Sequence, residues 1–169
     1  KYSIAVSSGT DALYIPLLNL GIGRDDEVIT TPFTFIATAE VISLLGAKPI
    51  FVDIDYDTFN IDAAKIEEKI TPKTKAIIPV HLYGHPAEME KILEIAKKYN
   101  LFVIEDACQA IGAKYKDKFV CNFGDCGALS FFPSKNLGAF GDAGMIITNS
   151  SDLMRKYLMI RVHGQEKRY

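Results

Sequence analysis

Short runs of Ile, Val and Phe recur along the chain, and between them lie longer stretches whose apolar residues fall three and four apart. The first pattern is that of buried strands, the second that of helices laying one face on a core. Strands are predicted near 4–7, 27–31, 49–53, 75–81, 102–105, 127–132 and 144–148, and helices over 10–20, 34–46, 62–70, 86–99 and 151–162. Several helix starts are marked: Asp62 precedes an Ala-Ile pattern, Pro86 suits a first turn, and Ser151 or Asp152 stands before Leu153. Strands alternating with helices predict an α/β protein, a three-layer α/β/α sandwich around a mostly parallel sheet of about seven strands.

Composition narrows the picture without changing it. With 169 residues the chain suits one domain with a sizeable core, and no repeat, low-complexity tract or linker divides it. It is 49% hydrophobic and 24% charged with a net charge of -2, which gives no electrostatic case for nucleic acid or an anionic membrane as partner. No apolar stretch approaches the length of a membrane span. Cys108, Cys121 and Cys126 form a sparse, odd set, expected to be reduced thiols in a cytoplasmic protein. The opening "KYSIAVSSGT" lacks an initiating Met and enters a strand-like run at once, so residues 1–169 are expected to be an excised domain.

In α/β sheets chemistry collects at the carboxyl ends of the strands, so the loops after them carry the candidates. After the first strand, "SSGTDAL" sets Gly9, Thr10 and Asp11 at a helix start, offering free backbone N–H groups and a hydroxyl to a phosphate, or simply a helix cap. After "LFVIE", Asp106 ends an apolar run where a carboxylate is costly unless it meets a cation, a strong donor or a capping role. Gln109, three residues on, would share its helical face if a turn begins here, or would complete a capping-box-like pattern. After "GALSFF", Lys135 stands between Pro133 and the glycines 138, 141 and 144, which let backbone pack close to a flat ligand. A lysine drawn out of bulk water can lose enough basicity to stand as a neutral amine and attack a carbonyl. A phosphate cradle, a buried acid and an amine at three strand ends are the parts that hold pyridoxal phosphate.

The motifs "SSGTDAL", "TPFTFIAT", "PVHLYG", "IEDACQA", "SFFPSKNLGAFGDAG" and "RVHGQ", in this order, resemble the DegT/StrS family of pyridoxal-phosphate-dependent nucleotide-sugar aminotransferases. The resemblance runs through nearly the whole chain and implies the aspartate-aminotransferase fold (fold type I), of which residues 1–169 would be the large, cofactor-binding domain without the smaller C-terminal one. It implies that Lys135 is the Schiff-base lysine, that Asp106 pairs with the pyridine nitrogen, and that Ser130 and the helix start at Gly9, Thr10 and Asp11 bind phosphate. Phe35 would stack on the cofactor ring, although an aromatic there is ordinarily core. Gln109 would lie near the ring hydroxyl. The implied reaction moves an amino group, from glutamate, to a keto group of a nucleotide-linked sugar, within a homodimer whose subunits share the active site. Relatives with histidine in place of the lysine are dehydratases, a chemistry that Lys135 argues against. "SKNLGAFGDAG" and "RVHGQEKRY" resemble members that aminate 3-keto sugars of uridine diphosphate more than those acting at the 4-position. The other class of function is an inactive, structural or binding domain of the same fold.

Metal and dinucleotide readings are weaker. His81 and His85 have the spacing of a helical zinc pair, but Pro79, Gly84 and Pro86 put them in a loop with no third ligand suitably spaced. Cys121 and Cys126 flank a turn without a second pair, and Gly21 and Gly23 end a helix where a dinucleotide fingerprint would open one. No metal is expected.

Overall fold

The computed structural model of the protein describes residues 1–166. Lys167, Arg168 and Tyr169, the end of "RVHGQEKRY", lie outside the described residues. Seven strands form one sheet: β1 (Tyr2–Val6), β2 (Glu27–Thr30), β3 (Lys48–Phe51), β4 (Thr74–Ile77), β5 (Phe102–Asp106), β8 (Cys126–Ser130) and β9 (Gly144–Thr148). Their order is β1-β9-β8-β5-β4-β2-β3. The pairings from β8 to β3 are parallel, and β9 runs antiparallel to both neighbours. The sheet is therefore mostly parallel, as the alternating pattern predicts.

Period-two alternation sends successive strand residues to opposite faces, and both faces are covered. Val28, Ala76 and Ile104 join a core with Leu13 and Leu17 of α1 (Gly9–Asn19), Val41 and Ile42 of α2 (Ala37–Leu44) and Tyr157 of α4 (Ser151–Arg161). Their sequence neighbours Ile29, Ile77 and Val103 join a second core with Met89, Ile92 and Ala96 of α3 (Met89–Tyr99). The same alternation separates Glu105 from Asp106, which decides what each carboxylate can reach.

Three boundaries differ from the sequence pattern, and one hairpin is additional to it. The expected helix over 62–70 is two short 3₁₀ turns, Ala63–Lys65 and Glu67–Lys69, closed by three-residue hydrogen bonds such as Lys65 N–H to Asp62 O at 3.1 Å. Ala63 and Ile66, the buried residues of this stretch, are three apart, a spacing that aligns side chains in a 3₁₀ turn. The expected strand over 75–81 stops at Ile77, and Pro79, which has no N–H to give a ladder, accepts from Asp106 N–H instead. Helix α3 begins at Met89, and Pro86 lies in the turn before it. A hairpin of β6 (Lys114–Tyr115) and β7 (Lys118–Phe119) was not expected from the pattern, since its turn uses positive φ at Lys116 and Asp117 and contains no Gly.

Candidate active site

The carboxyl ends of β1, β2, β5 and β8 meet at a cavity of about 500 Å³, within the range that holds small cofactors. Its walls come from the start of α1, residues 34–38, the end of β5 and the loop after β8.

The α1 wall is built by Ser8. Its Oγ accepts from Asp11 N–H at 3.0 Å, satisfying one of the four N–H groups that a helix start leaves open, while its carbonyl takes the first intrahelical bond, from Ala12 N–H at 3.1 Å. The N–H groups of Gly9 and Thr10 remain, at the cavity wall. Glycine is needed at position 9, because a Cβ there would meet Ser130 Cβ at 2.6 Å. Asp11 stands apart from the other sequence-predicted residues: it is not part of the cavity wall, and its carboxylate accepts from Ser8 Oγ at 2.9 Å, inside the cap.

Asp106 forms the floor. It is 5% exposed, and its side chain accepts from Thr38 Oγ1 at 2.8 Å on one oxygen and from Cys108 N–H at 3.2 Å on the other. Among the described residues it forms no ion pair. A buried carboxylate so placed faces the cavity without a cation, an arrangement that is costly unless a cationic group fills the space. Beside it, burial first and the Asp106 charge second push the Cys108 thiol well above its ordinary range, leaving a neutral, poorly nucleophilic group at the wall.

The loop after β8 carries the amine. Lys135 N–H closes a turn onto Phe132 O at 2.8 Å, and the loop returns through Ala139 N–H to Phe131 O at 2.8 Å. This return explains Gly138, where a Cβ would overlap the Pro133 carbonyl oxygen. Lys135 Nζ stands 6.0 Å from the ring centroid of Phe35. That phenylalanine is 65% exposed, an expense of apolar surface that a core residue would not carry, and its ring borders the cavity. Gln109 Oε1 accepts from Tyr83 N–H at 3.2 Å, which turns the donor end of the amide away from that contact. A second cavity of about 470 Å³ opens from the first at Gln109, Ser134 and Lys135 and extends to Tyr83 and Asn136.

Gly9, Thr10, Phe35, Asp106, Gln109, Ser130 and Lys135 are thus brought to one cavity. The sequence pattern missed Thr38, Thr34 and Tyr83. Thr38 had a signal, a polar residue four after Thr34 on the buried side of an apolar helix start. Tyr83 had none, because its place depends on a backbone turn at φ 53°.

His81 and His85 do not share a site. His81 is fully buried; its Nδ1 accepts from Ala87 N–H at 3.0 Å, so the proton sits on Nε2 and is donated to Glu105 at 3.0 Å. His85 is exposed, and its carbonyl accepts from Asn60. Among the described residues no cluster of His, Cys, Asp and Glu has metal-binding geometry, and no helix is long and apolar enough to cross a membrane.

The family model described as the DegT/DnrJ/EryC1/StrS aminotransferase family matches residues 1–169. The chain is 59% identical over its whole length to 45% of a "pleiotropic regulatory protein" of Geobacillus stearothermophilus. It is 53% identical, again over its whole length, to 47% of the UDP-2-acetamido-2-deoxy-3-oxo-D-glucuronate aminotransferase of Pseudomonas aeruginosa. The chain thus spans about half the length of the curated relatives it matches. Among solved structures, DesV of S. venezuelae in complex with a ketimine intermediate superposes with a TM-score of 0.96 at 42% identity, over 100% of this chain and 46% of that one.

Proposed function

Because the chain belongs to the DegT/DnrJ/EryC1/StrS aminotransferase family, we propose that it is the cofactor-binding domain of a pyridoxal-phosphate-dependent aminotransferase acting on a nucleotide-linked keto sugar. The observation that carries this reading is Asp106: a buried carboxylate without an ion-pair partner among the described residues, sharing one cavity with a lysine amine and two uncommitted N–H groups of a helix start. These features fit the cofactor, since a pyridinium would pair with Asp106 and a phosphate with the start of α1.

When bound, pyridoxal phosphate supplies a carbonyl carbon that captures amines and a protonated ring that accepts electrons. The remaining work belongs to the chain. Gly9 and Thr10 N–H, with Ser130, hold the phosphate; Phe35 covers one face of the ring; Asp106 holds the proton on the ring nitrogen; and Gln109 donates to the ring oxygen. Lys135 would be the covalent attachment point, and its Nζ would carry the proton at the α-carbon of the amino donor, glutamate in this reading. The second cavity, which opens from Lys135 toward Tyr83 and Asn136, takes the acceptor sugar.

A 3-keto sugar is the favoured acceptor, supported by the loop "SKNLGAFGDAG" and by the name of the 53% identical P. aeruginosa relative. The whole protein is a homodimer in this reading, since Phe132, Leu137 and Phe140 stand exposed around the Lys135 loop and need a cover. Sedimentation of the full-length protein as a monomer would refute it. Free thiols at Cys108, Cys121 and Cys126 support a reducing, cytoplasmic setting.

The name of the G. stearothermophilus relative favours a second reading, a regulatory protein that does not transaminate. Borohydride reduction of the full-length protein with pyridoxal phosphate, followed by peptide mapping, tests the first reading. The pyridoxyl group is expected on Lys135; finding it on Lys48 or Lys114, or nowhere in a folded sample, sinks the assignment. Incubation with glutamate and matched 3-keto and 4-keto UDP-sugars then separates an enzyme from a regulator and settles the position of amination.

A further inference from the structure

We propose that Thr38, backed by Thr34, is the positioning residue that fixes the Asp106 carboxylate against the ring nitrogen of the cofactor. The inference rests on the reading of the cavity given above.

A buried threonine in a helix ordinarily turns its hydroxyl back to the carbonyl one turn earlier. Thr38 does not. It is 1% exposed, in the first turn of α2, and its Oγ1 lies 2.8 Å from Asp106 Oδ2, 68 residues away in sequence. A carboxylate only accepts, so the Thr38 proton points at Asp106. Thr34 Oγ1 lies 3.4 Å from Thr38 Oγ1, and with the Thr38 proton committed, Thr34 is the donor in that contact. The two hydroxyls form a directed chain, Thr34 to Thr38 to Asp106.

Two donors on different oxygens do what one could not. The last torsion of an aspartate side chain is broad, and a single donor would leave the carboxylate plane free to swing. With Thr38 on Oδ2 and Cys108 N–H on Oδ1, the plane is set, and each oxygen keeps a lone pair for a further donor. Phe35 and Thr38 sit three apart, so one short segment supplies both a ring for the face of the cofactor and a hydroxyl for the group at its edge.

The experiment uses the full-length protein with pyridoxal phosphate carrying nitrogen-15 in its ring, comparing wild type, Thr38→Val, Thr38→Ser and Thr34→Val. Thr38→Val keeps the shape and removes the hydroxyl. It is expected to move the ring-nitrogen resonance toward the unprotonated position, to shift the pH profile of the cofactor absorbance, and to weaken cofactor retention about tenfold, as for loss of a hydrogen bond to a charged group. Thr38→Ser should restore all three, and Thr34→Val should move the resonance the same way by a smaller amount. A folded Thr38→Val protein with the wild-type resonance and retention overturns the proposal. Where Thr38→Val fails to fold, Thr34→Val decides, because that side chain is partly exposed and reaches Asp106 through Thr38 alone; an unmoved resonance there overturns it too. If wild type takes up no cofactor, the reading of the cavity falls as well, a result distinct from a wild type that binds and a Thr38→Val protein that matches it.

Discussion

Asp106 and Lys135 were legible in the sequence because each breaks a local rule: a carboxylate ends an apolar strand, and a lysine sits between a proline and glycines after another. Thr38 carried only a faint signal, its place four after Thr34 at an apolar helix start, and Glu105 breaks the same rule as Asp106 without telling which partners each of the two carboxylates reaches. Asp106 also allows a sharp prediction. In Asp106→Asn the amide oxygen can accept from Cys108 N–H while its NH₂ donates to Thr38 Oγ1, whose hydroxyl turns to accept, so every group stays paired. The change also removes a buried charge that has no ion-pair partner among the described residues. Apo-protein stability should therefore stay within about 1 kcal/mol of wild type by urea unfolding. On the proposed reading, in which Asp106 pairs with the ring nitrogen, turnover should fall about a thousandfold or more. Unchanged turnover would make Asp106 a cap and nothing else.

At the scale of elements, strand existence was readable from apolar runs, whereas strand ends depended on what the next residues bond to. Pro79 ends β4 by lacking an N–H, a local cause that could have been read; the β6–β7 hairpin turns on two positive-φ residues that no Gly announces. Glu105, one residue from Asp106 on the opposite face, ties three elements together. Its carboxylate accepts from Cys121 N–H at 2.8 Å, Phe123 N–H at 2.7 Å, Gly124 N–H at 2.8 Å and His81 Nε2 at 3.0 Å, all while fully buried. Four donors leave no room for a fifth. Glu105→Gln would set an NH₂ group against at least one of them, and should cost about 2–5 kcal/mol in unfolding free energy. Since these bonds hold loops behind the candidate cavity, the folded fraction should, on the proposed reading, keep near-wild-type cofactor retention; a catalytic defect without a stability defect would contradict this assignment.

Across the whole molecule, the α1–α2–α4 side of the sheet buries neutral acids where the sequence pattern shows only apolar residues. Cys126 lies under α4, fully buried, and burial pushes its thiol from an ordinary value of 9.0 up to about 12. Burial also raises the phenol of Tyr157, whose hydroxyl finds no hydrogen-bond partner of good geometry, only the neighbouring thiol. Both groups hold their protons more tightly folded than unfolded. The stability each contributes is complete below its unfolded pKa and is lost as pH rises toward its folded one. For Cys126 the window runs from pH 9 to about 12, with a loss on the order of 4 kcal/mol across it. Exposed ion pairs such as Lys156–Asp152 weaken in the same direction but are screened by solvent, so the comparison that isolates the thiol is Cys126→Ala. Urea unfolding between pH 8 and 11 should show wild type losing stability steeply above pH 9. Cys126→Ala, less stable at pH 8 for want of packing, should lose visibly less over the same interval. Parallel curves for the two proteins would mean that the thiol ionises in place, which requires water to reach the sheet beneath α4 and a core less closed than its packing indicates.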